Sequence, residues 1–254
     1  MASIDRTAYP RFKRLVPGKE LAEAFTPTTE ELAWTRGRTS TPAHLLALTT
    51  WLKCYQRLGY FPKLADVPDV VVEHLRQLLE LAPDVALSHD ADRTAKWHRG
   101  LVRQFVGVTY EPARIREITE KAIRDAVQTK DNPADLINVA LDELVRARCE
   151  LPGYTTLDKM VTTVRTETNT ALFAMVAARM DLADKARLAR LLWLDPTSRR
   201  SEFDRIKIPA KAATLGKFKL RLAHLRELDA LGPTERWLAG IPAGKIATSP
   251  ARRG

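Results

Sequence analysis

The sequence has little of what marks a secreted or membrane-embedded protein. Only two of its 254 residues are cysteines, Cys54 and Cys149, which is too few for a disulfide framework in a chain of this length. No apolar run approaches the length that crosses a bilayer, and the opening segment MASIDRTAYPRFKRLVPGKEL lacks the apolar core of a secretory signal. The sequence therefore predicts a cytoplasmic protein whose two cysteines are small buried hydrophobes.

Motifs of metal and nucleotide chemistry are also missing. No pair of histidines has the spacing of a metal motif such as H-E-x-x-H; the five are His44, His74, His89, His98 and His224. The segment GIPAGK has three residues between its glycines where a P-loop has four, and Ile246 follows where Ser or Thr would hold the metal. The residues thus give no support to catalysis, and no cofactor is expected.

Helical periodicity dominates the rest of the sequence, and alternating β patterns are nearly absent. Start signals include Thr28 or Thr29 as an N-cap, Pro42, and Asn132 followed by Pro133. We therefore predict an all-α chain of two or three small helical modules, without significant sheet. The predicted division is a module at 1–82, a connector at 83–92, a second module at 93–182, and a basic helical segment with a divergent tail at 183–254.

The charge is unevenly distributed. The net charge is +10, and residues 181–254 carry 16 Lys and Arg against 8 Asp and Glu. Such density suits phosphate binding, because counterion release supplies much of the affinity for DNA. The candidate contacts here are Arg199, Arg200, Lys207, Lys211, Lys217, Lys219 and Arg221. Further candidates upstream are Arg36, Arg38, Arg93, Lys96, Arg99 and Arg103. Merely solvated basic faces remain the alternative.

The segment YTTLDKMVTTVRTETNTALFAMVAARM holds seven threonines between Thr155 and Thr170. Its apolar residues fit either one long helix or two helices split near 166–168, and threonine disfavours helix only mildly. The split form, with the preceding helix, predicts a helix-turn-helix at 133–180. Its DNA-reading side chains would be Arg165, Thr166, Thr168 and Asn169. The alternative is a solvated polar face on a bundle helix.

Several segments resemble the N-terminal region of the large transposases of the Tn-three family. The most specific is LINVALDELVRARCELPGYTTLD, supported by LLALTTWLKCYQRLGYFPKLADVPDVVVEHLRQLL and ADRTAKWHRGLVRQFVGV. With SEFDRIKIPAKAATLGKFKLRLAHLRELDALG, the resemblance covers nearly all of the chain, although the final IATSPARRG departs from it.

The resemblance implies a DNA-binding half that recognises the terminal inverted repeats of a transposon. The family's catalytic domain, which is RNase H-like and holds magnesium on an Asp/Asp/Glu triad, lies downstream and is not in this sequence. A truncated transposase without strand transfer is therefore expected. It would bind double-stranded DNA at the nucleoid of a bacterial cytoplasm, together with full-length transposase or a second copy. The alternative is a helical interaction module or an inert remnant, which would expose apolar patches and self-associate.

Overall fold

The computed structural model describes residues 3–89, 91–207, 214–230, 232, 236–241 and 245. No β-strand occurs in these residues, so the predicted all-α fold is confirmed. The helices are α1 (Gly18–Glu20), α2 (Thr29–Arg36), α3 (Pro42–Leu58), α4 (Asp69–Leu78), α5 (Asp92–Val106), α6 (Pro112–Ala126), α7 (Pro133–Arg146), α8 (Tyr154–Ala178), α9 (Leu182–Leu192), α10 (Glu202–Lys207) and α11 (Leu215–Asp229).

The helix starts follow the local signals of the sequence. The Thr28 hydroxyl accepts a hydrogen bond from the Glu31 N–H at 3.2 Å, and the Glu31 carboxylate accepts one from the Thr28 N–H at 2.7 Å. This reciprocal capping box satisfies two N–H groups that the first turn of a helix leaves without a partner. At α7, the Asn132 side chain accepts from the Ala134 N–H at 3.0 Å, and Pro133 takes the first helical position.

Helix α8 is continuous, so the predicted helix-turn-helix at 133–180 is wrong, because the turn that it requires is absent. The helix runs unbroken through residues 166–168, where the split form requires a turn. No glycine or proline stands between Gly153 and Met180 to stop it. Several threonines cost only a few tenths of a kcal/mol each in helix propensity. Burial of Leu157, Val161 and Val164 on one face outweighs that cost.

The chain divides into two compact units. The first comprises residues 1–127 and 132–164, and the second comprises residues 128–131 and 165–254. In the first unit, one core cluster joins α6, α7 and the beginning of α8, and others form around α3. The fully buried side chains at these centres include Ile123, Leu136, Leu144, Leu157, Leu46, Leu58, Leu75, Leu48 and Val102. The finer division of the sequence at residues 82, 92 and 182 stays a prediction.

The second unit leaves many large apolar side chains in water. Trp237 is buried, and its indole N–H donates to the Asp184 carboxylate at 3.1 Å. The exposed apolar residues in the described part of this unit are Phe173, Met175, Leu182, Leu192, Trp193, Leu194, Leu215, Phe218, Leu220 and Leu225. Contiguous exposed apolar surface is typical of sites that bind another macromolecule.

Gly59 ends α3 in a left-handed conformation, with φ of +74°. A Cβ at this position would lie 3.0 Å from Leu151 Cδ1. We expect Gly59→Ala to lower the free energy of unfolding by about 1–2 kcal/mol, because the left-handed region is costly for alanine and the Leu151 side chain must move. Urea denaturation of the purified chain measures the change.

Gly100→Ala is the matched control for this substitution. Gly100 lies inside α5 and has no atom within 4 Å of an added Cβ. Alanine should therefore raise the stability by roughly 0.5–1 kcal/mol, through its better helix propensity. Equal effects of the two substitutions would contradict the conformational argument.

Candidate nucleic-acid interface

Helix α5 presents part of the predicted basic stripe to water. Arg93 and Lys96 are exposed and lie one helical turn apart, so their side chains share a face. Trp97 beside them is 51% exposed. A basic face with an aromatic ring can contact both the phosphates and the sugars of a nucleic acid.

The two later arginines of the same stripe make internal contacts. The Arg99 guanidinium lies 5.5 Å from the centroid of the Trp51 ring. The Arg103 Nε–H donates to a Glu150 carboxylate oxygen at 2.7 Å, and its guanidinium lies 4.5 Å from the centroid of the Tyr110 ring. Arg103 is half-buried and fastens α5 to the chain after α7. It is therefore a fold contact rather than an open phosphate clamp.

The predicted arginines at the end of α2 are exposed. The Arg38 guanidinium donates to the Trp34 carbonyl at 3.3 Å and lies 4.9 Å from the centroid of that ring. Arg36 makes no ion pair with a described carboxylate. Both remain accessible to an anion.

Two of the four predicted readers on α8 are held by Asp131. The Arg165 guanidinium donates to both carboxylate oxygens of Asp131, at 2.9 and 2.7 Å. The Asn169 amide, which is buried, donates to the same carboxylate at 3.4 Å. Thr166 is exposed and Thr168 is half-buried. Of the four predicted readers, Thr166 is therefore the one that is exposed.

Asp131 interacts electrostatically with Arg165 and Lys245 and accepts a hydrogen bond from Asn169. Burial acts to raise the pKa of Asp131, but hydrogen bonds from Arg165 and Asn169 outweigh it and hold the pKa below its usual value. The same hydrogen bond raises the pKa of Arg165. Lys245, also buried, lies 4.0 Å from the carboxylate. The bidentate Arg165–Asp131 pair holds this part of α8 against Asp131 and pairs the charge of Arg165 within the fold.

Some of the basic residues predicted as DNA contacts in the second unit make contacts within the unit, and others are exposed. Lys207 stacks over the Phe203 ring at 4.3 Å, and Arg221 donates to the carbonyl of Ile206. Lys211 lies outside the described residues. The exposed members of the predicted set are Arg199, Arg200, Lys207, Lys217 and Lys219.

Most carboxylates of this unit are used in local contacts. Asp184 accepts from Arg236 at 2.7 Å and takes part in the cap of α9. Asp195 accepts from the N–H groups of Thr197 and Ser198 in a tight turn. The others with a recorded role are Asp181, Glu202 and Asp204. Of the carboxylates named here, Asp181 and Asp184 pair with Arg236 and Glu202 lies beside His224.

Helix α9 carries exposed cations that are not among the predicted DNA contacts. Lys185, Arg187 and Arg190 are exposed, and none forms an ion pair with a carboxylate in the described ranges. The local sequence DLADKARLAR balances them with Asp181 and Asp184. Because the fold uses both acids for the α9 cap and for Arg236, these three cations remain uncompensated.

Three of the five histidines meet in the first unit, although they are scattered along the sequence. His89 Nε2 lies 2.9 Å from His98 Nδ1, and the centroid of the His44 ring lies 5.6 Å from that of His98. Burial, followed by the nearby His89 and His44, lowers the pKa of His98 to about 4. His98 is therefore neutral at physiological pH.

The described ranges hold no group of three or more His, Cys, Asp or Glu side chains placed to bind a metal ion. Among the helices of those ranges, none combines the length and the apolar character needed to cross a bilayer. Cys54 and Cys149 are both free and buried, as predicted, and burial raises the pKa of the Cys54 thiol to about 12.

Comparison with protein families finds a match to a domain of unknown function, DUF4158, over residues 1–164. The match ends at Val164, the residue at which the last segment of the first compact unit also ends. A search of curated protein sequences finds no significant match. Because the matched region is well over half of the sequence, the chain belongs to the DUF4158 family.

Proposed function

We propose that this chain is a sequence-specific double-stranded DNA-binding protein that recognises the terminal inverted repeats of a transposon. The proposal rests on the resemblance of its sequence to the N-terminal region of Tn-three family transposases and on the charge of its second unit. In this role it would act at the bacterial nucleoid. We further propose that the chain alone has no strand-transfer activity and needs no cofactor, since the resemblance covers only the DNA-binding half of such proteins.

The observation that carries this proposal is the surplus of uncompensated cations on α9 and on the turn that follows it. Arg187 and Arg190 lie three residues apart on one exposed stretch of α9, and Arg199 and Arg200 belong to the turn that Asp195 caps. Each phosphate that such a side chain neutralises releases condensed counterions and so favours binding. The exposed α5 residues Arg93 and Lys96 add a second set of candidate phosphate contacts.

The double substitution Arg187→Gln/Arg190→Gln should weaken binding of terminal-repeat DNA. Fluorescence anisotropy across a salt series measures the affinity for the repeat duplex and for a scrambled duplex. For the unaltered chain we expect roughly a hundredfold or greater preference for the repeat. In the double variant, the log–log dependence of affinity on salt should lose about 1.8 from its slope, because two phosphate contacts are removed.

Arg114→Gln/Lys121→Gln is the matched control, with the same change in net charge on exposed residues of α6. This control should leave the slope nearly unchanged. If both variants reduce the slope equally, the α9 cations act only through net charge. If repeat and scrambled duplexes bind equally well to the unaltered chain, end recognition is excluded.

A helical protein-interaction module is the second candidate function, and the exposed apolar side chains of the second unit favour it. Leu192, Trp193 and Leu194 are at least half exposed in succession at the end of α9. Such a run in water is unusual for a surface that meets only phosphates. Sedimentation velocity distinguishes the candidates, because a module of this kind would self-associate in the absence of DNA.

A further inference from the structure

Helix α11 carries an apolar stripe on its outward face. Leu215, Phe218, Leu222 and Leu225 follow one another at spacings of three, four and three residues, the a and d positions of two heptads. Leu215, Phe218 and Leu225 are 70%, 65% and 56% exposed, and Leu222 is half-buried. We refer to these four residues as the α11 stripe.

The side of α11 away from the stripe faces its own unit, and Arg221 lies at the border between the two, at the second position that flanks the seam. The Arg221 guanidinium donates to the carbonyl of Ile206 in α10, and His224 Nε2 lies 3.7 Å from a Glu202 carboxylate oxygen. Leu220 and Leu228 line a cavity of about 870 Å³ together with apolar and charged residues of α9 and α10, Arg187, Arg190 and Glu202 among them. The helix is therefore apolar on two sides: one borders this cavity, where Leu220 is itself 59% exposed, and the other is the α11 stripe.

Positive charge runs along one edge of the stripe. Lys219 and Arg226 stand seven residues apart, two turns along the same edge, at the position that flanks an a/d seam. Both side chains are exposed, and neither forms an ion pair with a carboxylate of the described residues. A partner seated on the stripe would thus meet two unpaired cations beside an apolar seam.

We propose that the α11 stripe binds an amphipathic helix of a partner protein, one that carries Asp or Glu beside its own apolar seam. Burial of the four apolar side chains supplies affinity, and pairing of the partner's carboxylates with Lys219 and Arg226 supplies register and specificity. The proposal does not depend on DNA binding, and it assigns Lys219 to a protein carboxylate rather than to a phosphate.

A second copy of this chain does not fit the stripe. In an antiparallel pair of α11 helices, the Lys219 and Arg226 edges would face each other, cation against cation. In a parallel pair, Arg221 of one helix would face Arg226 of the other. Like charges at these flanking positions oppose pairing, so both orientations are disfavoured.

Duplex DNA is also a poor occupant of this face. Its phosphates would satisfy Lys219 and Arg226 but would leave the four apolar side chains of the stripe in contact with water. A helix with an apolar seam removes that surface from water and meets both cations as well, so it uses every feature of the face.

The test uses the full chain and three fluorescein-labelled synthetic peptides of three heptads. The first peptide has leucine at a and d and glutamate at e and g. The second has lysine at e and g, and the third keeps the glutamates but replaces each leucine by serine. We expect the acidic leucine peptide to bind at least about tenfold more tightly than either of the others. No saturable binding of that peptide, or equal binding of all three, would overturn the proposal.

Two double variants locate the binding on α11. Phe218→Ser/Leu225→Ser changes only exposed side chains and should weaken the acidic peptide about tenfold or more, with unchanged circular dichroism. Lys219→Glu/Arg226→Glu should reverse the preference, so that the lysine peptide binds more tightly.

A serine variant that instead loses affinity for duplex DNA by the same factor would make α11 a DNA contact. Concentration-dependent dimerisation that the serine variant abolishes would make a second copy the occupant. Arg187→Gln/Arg190→Gln should leave peptide binding unchanged, which separates this result from that of the DNA proposal.

Discussion

Glu31→Ala is expected to lower the free energy of unfolding by about 3–5 kcal/mol, the largest effect of any single substitution considered for this protein. The Glu31 and Lys53 side chains are each 8% exposed, and a carboxylate oxygen of Glu31 lies 3.1 Å from Lys53 Nζ. The same carboxylate accepts hydrogen bonds from Gln56 at 2.5 Å and from the Thr28 N–H at 2.7 Å. Alanine removes all of these contacts and leaves a buried ammonium group without its counterion.

Chemical denaturation measures the effect, and Glu30→Ala is the control. Glu30 is the exposed neighbour in the same first turn, so its loss should cost less than about 1 kcal/mol through the helix dipole. The double variant Glu31→Leu/Lys53→Met removes both charges and should be more stable than Glu31→Ala. Equal costs for Glu31→Ala and Glu30→Ala would show that the buried pair contributes nothing.

Acid should destabilise the first unit through His98. Its side chain is fully buried, and its pKa falls from an ordinary value near 6.5 to about 4 in the folded chain. The unfolded chain therefore binds a proton between these two values that the folded chain does not. Stability is retained above pH 6.5 and falls as the pH drops, by about 3 kcal/mol in total at pH 4 from this one group.

Urea denaturation at a series of pH values tests this expectation. The groups that face His98 are the rings of His44 and His89, with Trp97 beside it and Arg99 over the adjacent Trp51. His98→Leu should reduce the slope of the free energy of unfolding against pH, between pH 4 and 6.5, by the equivalent of about one bound proton. This expectation holds whatever the substitution does to stability at pH 7. His74→Gln, which alters a histidine bonded to Thr26, should keep that dependence. An unchanged slope in His98→Leu would assign the acid sensitivity to other groups.

Local rules were sufficient to predict most helices of this chain. Thr28, Pro42, Asn132 and Pro133 begin helices where the sequence indicates, and Gly59 ends one in a left-handed conformation. These signals act through backbone groups within a few residues, so no distant partner has to be known. The turn predicted near 166–168 is absent because no such stop signal lies there. Only a run of threonines suggested the turn, and threonine disfavours a helix only mildly.

The fate of individual charged side chains was not predictable in this way. The sequence predicts Arg165 as a DNA-reading residue, but its guanidinium is bound by Asp131, which lies 34 residues earlier in the chain. Arg103 is likewise bound by Glu150, and His44 meets His98 across two helices. No spacing rule within one helix indicates any of these pairs.

The sequence by itself determined the all-α class, the helix starts and the excess of cations toward the C-terminal end, because each follows from composition or from interactions between near neighbours. The tertiary structure alone decided which of those cations are free. Asp181 and Asp184 look like counterions for α9 in the sequence, but both pair with Arg236, which lies 55 and 52 residues later in the chain. Whether a charge is available to a partner depends on which groups the folded chain brings within a few ångströms of it, and that distance is a property of packing.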